Sequence, residues 1–348
     1  MNPFDTSEYK ITYLVGAGAS AKALPTVKST DMTKGMADSL REFAVYLKDN
    51  NTFSEENKSY IEQITLDINW LAENTEKFGT PDTFAKYLYL QDRKLLQKLK
   101  NVLIFYFTVE QFINNKFDNR TLIFLTTVMQ RENIFPTNIK ILNWNYDFQF
   151  ELAAETFRKE EFHYSSSGSV HKPPLINYYP SLGYEMNVNH STNVKEYSIV
   201  HMNGIAGFFF NKDENTILNL HFNSSPKDIN ELVDRIKYEN ADRQTLFTFA
   251  WEKDTNSASL LRKRIEVARS IIAESDILII IGYSFPFFNR TIDKAVFDEL
   301  IISGKLKKII YQDPYKTGEF LRKQFNLPEN IDIQHITETE NYFVPNEL

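Results

Sequence analysis

Lys10-Ile-Thr-Tyr-Leu-Val15 runs directly into Gly16-Ala-Gly-Ala-Ser20, and the reading of that junction decides the fold. A run rich in β-branched and aromatic side chains that stops on small residues spells a buried strand ending in a glycine turn. Gly16, Ala17, Gly18, Ser20 and Ala21 fit G-x-G-x-x-(G/A) after a strand. That spacing lets backbone amides approach a pyrophosphate at a helix N-terminus. A tight strand-to-helix turn with no ligand has the same spelling, so the motif alone assigns no function. A dehydrogenase also wants an acidic residue at the end of the next strand, about 20 residues on. Here that interval holds Pro25, a loop and a helix start, which keeps the nucleotide reading and weakens the dehydrogenase one.

Moving outward, residues 33–133 read as a helical insertion. Leu40, Phe43, Ala44 and Leu47 recur at helical spacing, as do Ile61, Ile64, Ile68 and Leu71; Thr80 and Pro81 look like the N-cap and first-turn residue of a further helix. The sheet then resumes. Asn138-Ile-Lys-Ile-Leu-Asn143 is a second strand, stopping at Trp144-Asn145-Tyr146-Asp147, with a helix over Phe148–Arg158 and a long loop over 159–196. Tyr197–His201 and Gly207–Phe210 read as short strands, Pro226–Tyr238 and Ser257–Ala273 as amphipathic helices. Asp276–Ile281 is a continuous β-branched run, as expected of a strand covered on both faces. A helix (Thr291–Ser303), a strand (Lys308–Gln312), a helix (Lys316–Gln324) and a strand (Ile331–Ile336) complete the pattern. The expected fold is α/β: one domain over 1–348, a Rossmann-like parallel sheet with a large helical insertion. In such sheets ligands bind beyond the carboxyl ends of the strands.

Four strand ends carry polar groups. An amide and a carboxylate at the tip of a buried strand, Asn145 and Asp147, are costly to desolvate unless they bind something; Asp147 alone is also explained as a helix N-cap. His201 and Asn203 share a face if the strand continues through them, since side chains alternate along a strand. Gly282-Tyr283-Ser284 ends the fourth, with Asn289, Arg290 and Asp293 just beyond.

The order GAGAS, N-x-N-Y-D, H-x-N-G, GYSFPFFNR and a late strand ending Tyr311-Gln312-Asp313 resembles the sirtuin-like family. It is most similar to the bacterial branch that serves in anti-phage defence by destroying NAD. Pro81-Asp82-Thr83-Phe84 resembles a segment of the helical module in such proteins. The resemblance implies a parallel sheet of sirtuin type, NAD as substrate, and Asn145 beside the nicotinamide ribose with Asp147 on the nicotinamide side or the ribose. The family's catalytic histidine directly precedes glycine. Here Asn203 holds that place and the nearest histidine is His201, which is expected as the general base with Asn203 as the alternative. Gly16, Ala17, Gly18, Ser20, Asn203, Gly282, Tyr283, Ser284, Asn289 and Asp313 are the expected dinucleotide contacts.

Composition narrows the activity. With Cys 0 the chain has no thiolate zinc site, so it lacks the four-cysteine module of deacetylating sirtuins, and NAD hydrolysis is favoured over deacylation. His163, His171 and His190 have no ligand-type spacing, and no metal is expected. A formal charge of −7 argues against direct binding to a nucleic-acid backbone. No G-x-x-x-x-G-K-(S/T) occurs, which excludes a P-loop enzyme. Met1–Lys10 has no apolar segment of the signal-peptide kind and no run is long enough to cross a bilayer, so the expected location is the cytoplasm. A partner protein that senses infection, and an oligomer, are expected because an unregulated NADase would kill its host. The alternative is a module that senses NAD or ADP-ribose without cleaving it; a zinc-free deacylase is the poorer second.

Overall fold

A computed structural model describes residues 9–27, 34–50, 52–129, 134–162, 176–179, 197–211, 216–219, 226–242, 244–252 and 258–346. Strand β1 (Ile11–Val15) leads into a short 3-10 turn (Ala17–Ser20). Five helices follow: α1 (Met36–Asp49), α2 (Glu55–Phe78), α3 (Pro81–Gln91), α4 (Arg93–Thr108), which passes into a π-helical turn over Val109–Ile113, and α5 (Asn119–Val128). Then come β2 (Ile139–Asn143), α6 (Gln149–Phe162), β3 (Tyr178–Tyr179), β4 (Ile199–His201), β5 (Phe208–Asn211), β6 (Thr216–Asn219), α7 (Ile229–Asp242) and β7 (Gln244–Thr245). The chain continues through α8 (Ala258–Ile272), β8 (Ile277–Ile281), α9 (Arg290–Ser303), β9 (Lys308–Gln312), α10 (Gly318–Phe325) and β10 (Asp332–Ile336).

The main sheet is seven-stranded in the order β10-β9-β8-β1-β2-β4-β3, and its pairings are all parallel. The fold is the expected α/β sheet flanked by helices. Alternation assigns its two faces: Ile11, Tyr13 and Val15 pack with α5 and α6 side chains such as Phe124 and Phe150. Leu14 points the other way, with Leu142, Leu278 and Ile280, towards α8, α9 and α10. β8 is buried at every position, which accounts for its unbroken run of apolar residues. Each buried Ile or Leu stabilises the fold by roughly 1.5–3 kcal/mol.

The helices between β1 and β2 do not form their core alone. Leu40, Ile68, Leu99 and Phe105 share one apolar cluster with Phe209, Leu232 of α7, Phe247 and Trp251. The segment from β5 to Trp251, which holds a small antiparallel sheet in the order β6-β5-β7, therefore completes the helical unit.

The glycine turn passes into a 3-10 turn capped by Ala21, and α1 begins at Met36, close to the expected start of the helical stretch. Two local expectations change. The strand at β4 stops at His201, and Gly204, at φ +71, turns the chain. Within the expected 159–196 loop, α6 extends to Phe162 and Tyr178–Tyr179 adds an edge strand beside β4. Residues 163–175 and 180–196, with His163, His171 and His190, lie outside the described residues. No helix among the described residues is long and apolar enough to cross a membrane.

Candidate functional site

Strand order reverses at β1, which lies between β2 and β8; a parallel sheet opens its ligand crevice at such a point. The loops after β1 and β8 are tied together there. Gly16 N–H donates to the Ile281 carbonyl (3.0 Å) and Gly18 N–H to the Gly282 carbonyl (2.9 Å). A Cβ on Gly18 would sit 2.7 Å from Gly282 Cα, and one on Gly282, whose φ is +61, would sit 2.4 Å from Ala19 N. The glycines are thus required for close approach of two loops, and the Gly16 and Gly18 amides are committed to protein carbonyls. The turn is also held from behind. Arg120 donates to the Ala19 carbonyl (2.8 Å) while paired with Asp118 (2.6 Å), and Tyr342 Oη donates to the same carbonyl (2.7 Å).

Polar groups converge on the β2 side of this turn. Asn145 Nδ2 donates to the Gly16 carbonyl (3.1 Å) and reaches Ser20 Oγ (3.2 Å), and Ser20 Oγ donates to Asp147 Oδ2 (2.7 Å). Asp147 Oδ1 accepts the Gln149 N–H (3.3 Å) at the start of α6, so its capping role and its place in the cluster coexist. All three side chains are buried. Burial pushes the Asp147 carboxyl up to about 6, against the Ser20 hydrogen bond, which favours the ionised form.

The β4 end is arranged differently. His201 Nε2 lies 2.8 Å from Glu151 Oε1, both side chains being fully buried. His201 Nδ1 and Glu151 Oε2 have no hydrogen-bond partner. Asn203, beyond the strand, donates from Nδ2 to the Trp144 carbonyl (2.8 Å) and accepts the Ala250 N–H (2.9 Å) at Oδ1. Because β4 ends at His201, strand alternation does not extend to Asn203, and the two side chains engage different elements.

Beyond β8, Tyr283 stacks on Trp144 with centroids 5.2 Å apart and planes at 12°. Tyr283 Oη donates to Asp293 Oδ1 (2.9 Å) and accepts from Asn289 Nδ2 (3.1 Å). Burial drives the Asp293 carboxyl up to about 8, and its second oxygen has no partner. Tyr146 Oη donates to Asp82 Oδ1 at the first turn of α3, and burial raises the Asp82 carboxyl to about 6.

The structure thus gathers Gly16, Ala17, Gly18, Ser20, Asn145, Asp147 and Gly282 into one neighbourhood, with Tyr283 and Asn289 adjoining. Ser284 is exposed, its carbonyl taken by Lys316 (2.7 Å). Asp313 caps its own turn, accepting the Tyr315 (2.8 Å) and Lys316 (2.7 Å) amides. Glu151, Arg120, Tyr342 and Asp82 were not singled out as site residues by the sequence reading. Glu151 had one signal: a lone carboxylate among Phe148, Phe150, Leu152 and Ala153. A cavity of about 230 Å³ lies elsewhere, lined by Met36, Asp38, Arg41, Thr75 and Glu76. Its charged groups pair with one another. No group of three or more potential metal ligands occurs among the described residues.

No protein-family model and no curated protein matches this chain. A solved structure described as "The Structural basis of Sirtuin Substrate Affinity" aligns over 96% of this chain and 90% of that one, at 10% identity and a TM-score of 0.36. Overlap at that level establishes no family, and the functional reading rests on the strand ends themselves.

Proposed function

We propose that the protein is an NAD glycohydrolase, cleaving the nicotinamide–ribose bond to give nicotinamide and ADP-ribose. The observation that carries this reading is the convergence of Asn145 and Asp147 on Ser20 beside the glycine turn, at the carboxyl ends of the parallel strands. The motif order that resembles the sirtuin-like family adds the choice of ligand. The residues suit a dinucleotide in two respects. Asn143 Nδ2 and Asp293 Oδ2 are buried with no partner, and the Trp144–Tyr283 stack packs the loops after β2 and β8 together beside them.

NAD brings its own leaving group, a cationic nicotinamide ring, so the transition state is oxocarbenium-like. The protein's share is positioning and fixed dipoles. The Asn145 amide is held by two acceptors and cannot swing. Asp147, once ionised, places negative charge where positive charge develops on the sugar. His201, the base expected from the sequence, is a fully buried ring paired with Glu151 at Nε2, which leaves Nδ1 as its one unpartnered nitrogen.

Such an activity must be restrained. The reading therefore includes a cytoplasmic protein switched on by a partner or by assembly, with NAD depletion as an anti-phage response. The test is NAD content in cells expressing the protein with its genomic neighbours, compared with Asn145→Ala and His201→Gln. NAD loss abolished by Asn145→Ala supports the hydrolase, and loss abolished by both also assigns the histidine. One observation favours a second reading, an NAD or ADP-ribose sensor: His201 is locked to Glu151, and both ends of the Asn203 amide are bound to backbone. Tight NAD binding with no NAD loss under any trigger would make the sensor the answer.

A further inference from the structure

The cluster at the glycine turn has a shortage of proton acceptors. Asp147 has one oxygen on Ser20 and the other on the Gln149 amide. His201 is fully buried against Glu151, and Asn203 is an amide committed at both ends. A water attacking a sugar carbon must lose a proton to some group; both Asp147 oxygens are engaged, and the one unpartnered nitrogen, His201 Nδ1, belongs to a fully buried ring stacked on Tyr178 (6.2 Å between centroids).

The Asn-Tyr-Asp motif has a third member. Tyr146, between Asn145 and Asp147, sends its hydroxyl to Asp82, a residue 64 positions earlier in the helical unit. That carboxylate is placed by sequence. Thr80 Oγ1 caps α3 by accepting the Thr83 amide (3.0 Å), and Pro81 opens the first turn, which puts Asp82 at the positive end of an eleven-residue helix. The Tyr146 ring is fixed by Phe247 (4.6 Å between centroids) and Phe249 (5.7 Å), and its carbonyl accepts the Ala206 amide (2.9 Å). Asp82 is buried. On the β8 side, α3 contacts the turn over Phe287–Asn289, whose Asn289 Nδ2 donates to Tyr283 Oη (3.1 Å).

We propose that Asp82, through Tyr146, is the proton-accepting pair of the site, supplied by the helical insertion. The proposal rests on the NAD glycohydrolase reading. In the step, a water oxygen forms the new bond to the anomeric carbon as the carbon–nitrogen bond to nicotinamide breaks, and that electron pair stays on the nicotinamide nitrogen. The water proton passes to Tyr146 Oη as the tyrosine proton passes to Asp82. The products are nicotinamide, ADP-ribose and a proton held on Asp82 until it is released to solvent. A carboxyl raised by burial to about 6 is ionised at neutral pH and basic enough to take part. The titratable groups facing this pair are Tyr283 and, behind it, Asp293, with Glu252 acting on Tyr146. Tyr283 and Asp293 are acidic groups, whereas Glu252 is paired with Lys100 (2.8 Å), which balances its charge.

The experiment is the pH profile of NAD cleavage by the full-length chain, alone or with the neighbouring proteins that trigger NAD loss, for wild type, Asp82→Asn and Tyr146→Phe. Thermal midpoint and NAD affinity are measured alongside. Wild-type kcat is expected to rise with pH through about 6. Asp82→Asn should lose on the order of 100-fold in kcat with KM little changed, and the limb near 6, to which the Asp82 and Asp147 carboxyls both contribute, should lose steepness and become that of a single group. Tyr146→Phe should lose roughly 10-fold and shift that limb, which also covers the case in which Asp82→Asn does not fold. If NAD is cleaved and both variants keep the wild-type rate and profile, the pair is not the acceptor and the glycohydrolase reading stands. If the wild type cleaves no NAD under any trigger, that reading falls and this proposal falls with it.

Discussion

The ends of β2 and β4 look alike in sequence, each offering two polar residues two apart, yet the structure uses them in opposite ways. At β2, Asn145 and Asp147 meet over Ser20 beside the glycine turn. At β4, His201 is paired with Glu151 in a fully buried contact and Asn203 holds two backbone groups. A polar residue at a strand end is therefore not yet a site. The question is what each donor and acceptor is already bound to, because a buried group without a partner costs about 1–3 kcal/mol. At β2 the Asn145, Ser20 and Asp147 side chains are all engaged, while at β4 the buried His201–Glu151 pair keeps two atoms without a partner, His201 Nδ1 and Glu151 Oε2; on the proposed reading β2 carries the chemistry and β4 holds the frame.

The largest effect that tests this contrast is on stability. Glu151→Ala leaves His201 buried with neither ring nitrogen paired and should destabilise the protein by as much as about 3 kcal/mol, read by urea unfolding. A variant as stable as wild type would show that the pair is not structural and would return His201 to the reaction. Next is Asn145→Ala, expected to cut NAD cleavage at least 100-fold, equivalent to about 3 kcal/mol on the barrier, while costing only about 1–2 kcal/mol of stability. Equal losses of stability and activity would erase the distinction between the two ends.

Much of the frame was legible in the sequence for a simple reason. Strands covered on both faces must be apolar through their buried length, so Ile277–Ile281 and the Ile309–Tyr311 centre of β9 announce themselves. Glycines that permit close approach are visible too, although what approaches Gly16 and Gly18 is the β8 loop, not an identified ligand. Pairings across distant stretches were not legible. Nothing local links His201 to Glu151, fifty positions away, or Tyr146 to Asp82. Nor does spacing reveal that Arg120 and Tyr342 grip the Ala19 carbonyl. The same-face expectation for His201 and Asn203 failed because periodicity holds only while the strand lasts, and β4 is three residues long.

A pH measurement sharpens the β8 side. Asp293 is raised in the folded state to about 8 from an ordinary 3.8, so the folded protein holds its proton more tightly than the unfolded chain. That contribution is fully present below about pH 4 and is lost as pH rises through 8. Between pH 6 and 8.5 it amounts to about 2–3 kcal/mol. Asp293→Asn keeps the neutral, hydrogen-bonding form throughout, so the difference in unfolding free energy between pH 6 and 8.5 should shrink by that amount. An unchanged difference would mean that Asp293 is ionised at neutral pH and paired with a group other than Tyr283.

The smallest expected effect is at Ser20, and it separates two ideas of what the β2 cluster does. Ser20 Oγ lies between the Asn145 amide and the Asp147 carboxylate, yet Asn145 keeps the Gly16 carbonyl and Asp147 keeps the Gln149 amide without it. Ser20→Ala should therefore cost only about 1 kcal/mol of stability. The hydroxyl favours ionised Asp147, because a hydrogen bond donated to a carboxylate stabilises the charge. Its removal should move the Asp147 carboxyl further up from about 6, shifting any Asp147-dependent limb of the activity profile to higher pH with the plateau rate little changed. A fall of 100-fold in the plateau would instead mean that the hydroxyl positions the reacting groups directly. Either outcome keeps Ser20 with the β2 cluster. A silent Ser20→Ala, in rate and in pH profile, would leave Asn145 as the only member of that cluster with a claim on the chemistry.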